Sequence, residues 1–265
     1  MSAGADSGNG AASAQRLLRA AQTNLDLYQQ LHDAGWGAAD IVLVRDAYLL
    51  AMRLFSDCFR ANGKPFVAHL VGTASVLAMV DARPAVVVAG LLHAAYANGI
   101  FPDGFSGVTD SHRRVVRNAV SSEPERLVAA YQALAWKPAV VAPLIADWGV
   151  VGTDLKDLLL MRLANELEDH LGLGMRLCAE GRGAFGVSRE EQIRIATLLG
   201  QPALAAALAE GFHRNDGADW TAPIALERVI SFRIQANPSL TGSQHLAAAF
   251  RAAVSKLRRL ARLPS

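Results

Sequence analysis

Apolar side chains recur at three- and four-residue intervals along most of this chain, the period of helices that bury one face. No alternating run of strand length stands out, so the pattern predicts about nine helices and no strand ladder. The first is expected over about 14–34, stopped by Gly35, and the second over about 38–61, with Ile41, Val44, Leu49, Met52 and Phe55 at helical spacing. Asn62 and Gly63 break that helix, and Pro65 suits the first turn of the next, which runs to about Val80. Pro84 opens another that stops near Asn98 and Gly99. Residues 99–110 are rich in Gly, Pro and Asp and read as a loop, with Asp110 or Ser111 placed to cap the following helix.

A kink or break is expected at Pro124 before an apolar helix that reaches about Leu134, and WKPAVVAPL reads as a link. Thr153 and Asp154 then cap the helix of DLKDLLLMRLANELEDHLGL, closed by Gly172 and Gly174. Two apolar helices around 188–213, a less regular stretch to about 243 and a basic final helix complete the chain. The expected fold is all-α: a flexible tail over 1–14, a helical domain over 15–175 and a helical extension over 176–265 packed on the same domain.

Composition narrows the function classes. Hydrophobic residues make up 52% of the 265 and charged residues 19%, which suits a globular chain with a substantial core. Aromatics reach only 6%, so that core is built from aliphatic and small side chains. A net charge of +2 gives no argument for a nucleic-acid partner. Cys58 and Cys178 lie far apart in apolar segments and read as buried thiols in a reducing compartment. The N-terminal residues lack a basic start and an apolar core, and the most hydrophobic run, AVVVAGLL, is far shorter than a membrane span. A soluble, cytoplasmic protein is expected.

Two histidines, His69 and His93, stand on the two most apolar predicted helices, in RANGKPFVAHLVGTASVLAMVDARPAVVVAGLLHAAYAN. A histidine on an apolar face usually hydrogen-bonds a backbone carbonyl, a neighbour or water. On the residues alone, His69 and His93 both read as buried histidines of this kind, hydrogen-bonded to each other, a backbone carbonyl or water.

Their spacing and flanking residues resemble the HD-domain phosphohydrolases, and most closely the hydrolase domain of the RelA/SpoT alarmone enzymes. SSEPERLVAAYQAL is similar to the helix after that family's pocket loop, and MRLANELEDH to the segment with its last metal-binding aspartate. The likeness spans about residues 45–172 and implies an HD-like helical bundle. It also implies a ligand pocket formed by Arg60, Asn62, His69, His93, Asn98 and Asn165, with Arg60 and Asn62 bordering a nucleobase.

The departures from the family pattern all remove carboxylates. Ala94 stands where the second histidine's aspartate is expected, Asn165 where the last aspartate is expected, and Ala97 and Asn98 where an acidic pair would orient water and substrate. Hard divalent cations favour carboxylate oxygens, so no cofactor is expected, and hydrolysis would lack its metal-activated water. If manganese, iron or zinc is held at all, His69, His93 and Asp169 are the candidate ligands. Otherwise Glu166, Glu168 and Asp169 read as a solvated stripe.

Three function classes follow: a non-hydrolytic module that binds a nucleotide or other small ligand, a phosphohydrolase with a rebuilt metal site, or an enzyme using His69 and His93 for acid–base chemistry. The dipeptide His32-Asp33 lies outside the family context. The cluster His112, Arg113, Arg114 and Arg117 and the terminal Lys256, Arg258, Arg259 and Arg262 read as solvated cationic faces. Trp36, Trp136, Trp148 and Trp220 show no spacing of a base-stacking platform.

Overall fold

A computed structural model describes residues 4–177, 186–216, 224 and 230–234. The fold is all-α. The helices are α1 (Gly4–Leu17), α2 (Asn24–Asp33), α3 (Ala38–Leu54), α4 (Phe66–Met79), α5 (Pro84–Leu92), α6 (Ala95–Asn98), α7 (Asp110–Val120), α8 (Ser122–Ala133), α9 (Pro138–Ala146), α10 (Thr153–His170), α11 (Arg189–Leu198) and α12 (Pro202–Asp216). The named strands among the described residues, β1 (Cys58–Phe59) and β2 (Phe232–Arg233), are two residues each. The chain divides into two units, Met1–Phe232 and Arg233–Ser265, and only residues 233 and 234 of the second are described.

The core is organised around α4 and α5. Neither carries a charged residue, and both are buried on nearly every face, from Phe66 and from Val86 onward. A helix that is apolar all round is stable in water only when neighbours enclose it. Here α4 packs on α2, α3, α5 and α10, while α5 also meets α3 and α8. The polar side chains inside α4 find partners locally: Thr73 Oγ1 donates to His69 O, and Ser75 Oγ both donates to Gln30 of α2 and accepts from Ala21 N. Farther along, α12 packs on α1 and α10, and α11 on α9 and α12.

Several boundaries differ from the sequence expectation. The segment expected as a tail is helical from Gly4, and one expected helix over 14–34 is two, because Thr23 caps a new start by accepting from Asp26 N. The second helix stops at Leu54 rather than near Ala61. Thr109, not Asp110 or Ser111, caps α7 by accepting from His112 N. The break expected at Pro124 falls at Ser121, whose φ is 75°. Pro124 instead sits in the first turn of α8, where a missing N–H leaves no helix bond unmade. Pro138 does the same for α9, so WKPAVVAPL contains a helix instead of a link. Gly152, without a side-chain cap, precedes α10 where Thr153 and Asp154 were the expected caps. Cys58 is buried as expected, whereas Cys178, Trp220 and the basic C-terminal helix lie outside the described residues. Among the described residues, no single helix is long and apolar enough to cross a membrane.

Candidate functional site

His69 sits in the first turns of α4 and His93 caps the C-terminus of α5. Their rings pack edge to face with centroids 5.2 Å apart, so the sequence spacing does bring the two imidazoles together. Both are enclosed by protein, His69 fully and His93 at 5% exposure.

What reaches His69 is Glu168 of α10, whose Oε2 lies 2.5 Å from His69 Nδ1. Gly72, one turn along α4, makes this possible. A Cβ there would lie 2.6 Å from both Cγ and Oε1 of Glu168, so the glycine lets the carboxylate slide across the α4 surface. The other oxygen, Oε1, accepts from Lys64 Nζ and from Gln22 Nε2. Glu168 is 1% exposed and Asp169 lines a cavity with its side chain 14% exposed, so the expected solvated stripe is wrong.

These partners set the tautomers. His69 Nδ1–H donates to the Glu168 carboxylate, and its Nε2 is buried with no hydrogen-bond partner among the described residues. His93 Nδ1–H donates to Gly90 O at 2.7 Å, which leaves Nε2 as an acceptor. Burial pulls both imidazoles down to about 3, with Arg60 adding to the effect on each and His69 adding to it on His93. Burial pushes the Glu168 carboxyl up to about 7, against the pull of the Lys64 ammonium. At neutral pH both histidines are therefore uncharged.

His93 opens onto a cavity of about 260 Å³. Around it stand Arg60, Ala94, Ala97, Asn98, Tyr131, Gln132, Leu134, Arg162, Asn165 and Asp169. Arg60 Nη2 donates to Asp169 Oδ1 at 2.6 Å, Arg162 pairs with Glu166 and lies over the Trp136 ring, and the Tyr131 ring packs on His93 at 5.3 Å. Burial raises the Tyr131 phenol, opposed by the nearby Arg162 charge.

Of the residues expected at one pocket, Arg60, His93, Asn98 and Asn165 line this cavity together. His69 does not line it and stands behind His93 as its support. Asn62 is elsewhere: its Oδ1 accepts from Lys64 N, its Nδ2 donates to Gly174 O, and it lines a separate cavity of about 510 Å³ with Gln22, Lys64, Leu171 and Leu177. Backbone bonds from Arg60 N–H to Lys64 O and from Gly63 N–H to Arg60 O close a tight turn here, and the side chains of Arg60 and Asn62 line different cavities.

Sequence reasoning missed Lys64, Tyr131, Gln132, Arg162 and Glu168. A signal existed for Glu168, since it lies three residues after Asn165 on α10 and so shares that residue's face. The cluster near residue 112 is structural: His112 holds the loop through Asp103 and Gly107 O, and Arg113 and Arg117 pair with buried Glu125. His32 and Asp33 are exposed on α2.

The residues present do not suit a hard divalent cation. His69, Glu168 and Asp169 place donor atoms within 4.8 Å of one another, but Lys64 already neutralises Glu168 and Arg60 already neutralises Asp169. Two fixed cations beside the candidate ligands would repel a dication, and Ala94 offers no donor.

Comparison with curated proteins gives no match. Residues 50–135, about a third of the chain, match a family model described as a domain of unknown function, DUF6817, and that segment carries both histidines, Arg60 and Tyr131. Over this segment the chain is similar to the DUF6817 family.

Proposed function

We propose that this protein is an HD-like module that binds a small polar ligand in the His93 cavity without hydrolysing it. The observation that carries the reading is the wall itself: a polar cavity on the histidine segment whose nearby carboxylates are already neutralised by Arg60 and Lys64. Without a bound dication no water of lowered pKa is supplied, which argues against a rebuilt phosphohydrolase. The acid–base alternative is weakened by the histidines' own chemistry. An imidazole whose conjugate acid lies at about 3 is a poor general base near neutrality.

Size narrows the ligand. About 260 Å³ holds about nine waters at ~30 Å³ each and falls below the ~300–1,000 Å³ of sites for drug-sized molecules. That favours a small polar ligand over a whole nucleotide. The resemblance of 45–172 to alarmone hydrolases supports the HD-like architecture and leaves a nucleotide as the comparison ligand.

The test pairs calorimetric titration of small polar compounds and of guanine nucleotides with phosphate-release assays in manganese. Expected are small-ligand binding lost in Ala97→Trp, which blocks an exposed position of the wall, and phosphate release at background in wild type and His93→Ala alike. Robust wild-type release that vanishes in His93→Ala would overturn the reading in favour of hydrolysis.

A further inference from the structure

The larger cavity, the one that Asn62 lines, is built by two turns. Gly172 and Leu173 both hold left-handed backbone, with φ of 58° and 64°, and reverse the chain after α10. Gly174 then lies against the turn at 60–64. A Cβ there would stand 2.4 Å from Asp169 O and 3.0 Å from Asn62 Nδ2, so glycine is what lets this segment close down. Asn62 ties the two turns together by donating to Gly174 O. Residues just after α1 complete the described wall. At about 510 Å³ the cavity falls inside the ~300–1,000 Å³ span of small-molecule sites.

That wall has two characters. Leu18, Ala20, Leu171 and Leu177 give an aliphatic side, and Gln22, Asn62 and Lys64 a polar one. Bonds within the fold decide what the polar side still offers. Glu168 takes one of the three N–H of the Lys64 ammonium. Asn62 spends its Oδ1 on Lys64 N and one amide hydrogen on Gly174 O, so it and Lys64 both keep N–H to donate. Gln22 spends Nε2 on Ala20 O, Ala21 O and Glu168, which leaves Oε1 as the atom it has to offer.

Charge is already balanced here, because Lys64, the charged side chain of the described wall, pairs with buried Glu168. A carboxylate would add an uncompensated negative charge beside Glu168, and an ammonium would repel Lys64. The head group that fits is uncharged and both accepts and donates.

We infer that this cavity is a second binding site, separate from the His93 cavity, for an uncharged amphipathic molecule. Its amide or hydroxyl head is held by Lys64, Asn62 and Gln22, and its short aliphatic chain lies on Leu18, Leu171 and Leu177.

The probes are hexanamide, 1-hexanol, hexanoate and hexylamine, each titrated calorimetrically at neutral pH into the full chain. Saturable binding of hexanamide or hexanol at one per chain is expected, about tenfold tighter than the charged probes and weakened about tenfold by Leu177→Gln, which makes the aliphatic side polar. Ala97→Trp, which fills the His93 cavity, should leave this binding unchanged. Its loss in Ala97→Trp would put the probe in the His93 cavity, overturning this inference while the ligand-binding reading there stands. A preference for hexanoate or hexylamine would overturn the uncharged head, and if no probe binds the inference falls.

Discussion

Replacing Gly72 by alanine should destabilise the protein, although the same change in an ordinary helix interior stabilises. Gly72 lies inside α4, where alanine gains about 1 kcal/mol of helix propensity. The new Cβ, however, would lie 2.6 Å from Glu168 Cγ and Oε1 and 2.9 Å from Gln22 Nε2. Gln22 can swing its amide aside. Glu168 cannot, because Cγ is mid-chain and its two oxygens are tied to His69 and Lys64. Withdrawing the carboxylate leaves His69 Nδ1–H buried and Lys64 unpaired, a loss of the order of 3–5 kcal/mol for a broken buried charge pair. The net is about 2–4 kcal/mol of destabilisation. In a Glu168→Ala background the obstacle is gone, and Gly72→Ala should then stabilise by up to about 1 kcal/mol. The sign reversal, read as a double-mutant cycle from urea unfolding followed at 222 nm, isolates the packing of α4 on α10 from general helix effects. A Gly72→Ala that raises stability with Glu168 present would refute the argument that this glycine exists to admit that carboxylate.

Acidification gives a second check. Both imidazoles have a folded pKa of about 3 against an ordinary 6.5, so their neutral-form stabilisation is complete above about 6.5 and is lost as pH falls towards 3. Glu168, raised to about 7 from 4.5, acts oppositely, its contribution present below 4.5 and lost as pH rises through 7. Near pH 5.5 the unfolded chain holds about two protons at these sites and the folded chain about one, so stability should fall by about 1 kcal/mol per pH unit. A flat urea midpoint between pH 7 and 5 would contradict this. Protein purified without chelator should carry well under one manganese, iron or zinc per chain, and elemental analysis giving one tightly bound metal that is lost on His69→Ala would reverse the argument from Arg60 and Lys64. Tyr96→Phe, which removes the hydrogen bond to buried Glu125 at 2.9 Å, should cost about 1 kcal/mol in the same unfolding assay, whereas no change would mean the Arg113 contact already satisfies that carboxylate.

Local chemistry was legible in the sequence wherever a residue's own backbone or nearest neighbours decide the outcome. The prolines at 65 and 84 and the glycine at 35 located the starts of α4 and α5 and the stop of α2 within a residue or two, because helix starts and stops depend on local hydrogen bonds and permitted φ values, whereas α3 and α5 end earlier than expected, at Leu54 and Leu92. Two predominantly apolar helices without an acidic or basic residue other than histidine also announced the buried centre and put both histidines in it. Proline in a first turn misled at 124 and 138, since the same residue breaks a helix or begins one according to what precedes it.

Tertiary structure alone decided which polar groups meet. Glu168 contacts His69 across 99 residues and Lys64 across 104, and Arg60 contacts Asp169 across 109. Helical spacing puts Glu168 on the face of Asn165, but only the docking of α10 on α4 shows it inserted beside Gly72. The same docking put Asn62 and Arg60 at different cavities, although only Ala61 separates them in the chain. Sequence placed the imidazoles in the core, while the packing of α10 on α4 fixed their tautomers, their charge and the partners that neutralise the carboxylates beside them, because electrostatics in a buried site depends on distances that the chain order does not contain.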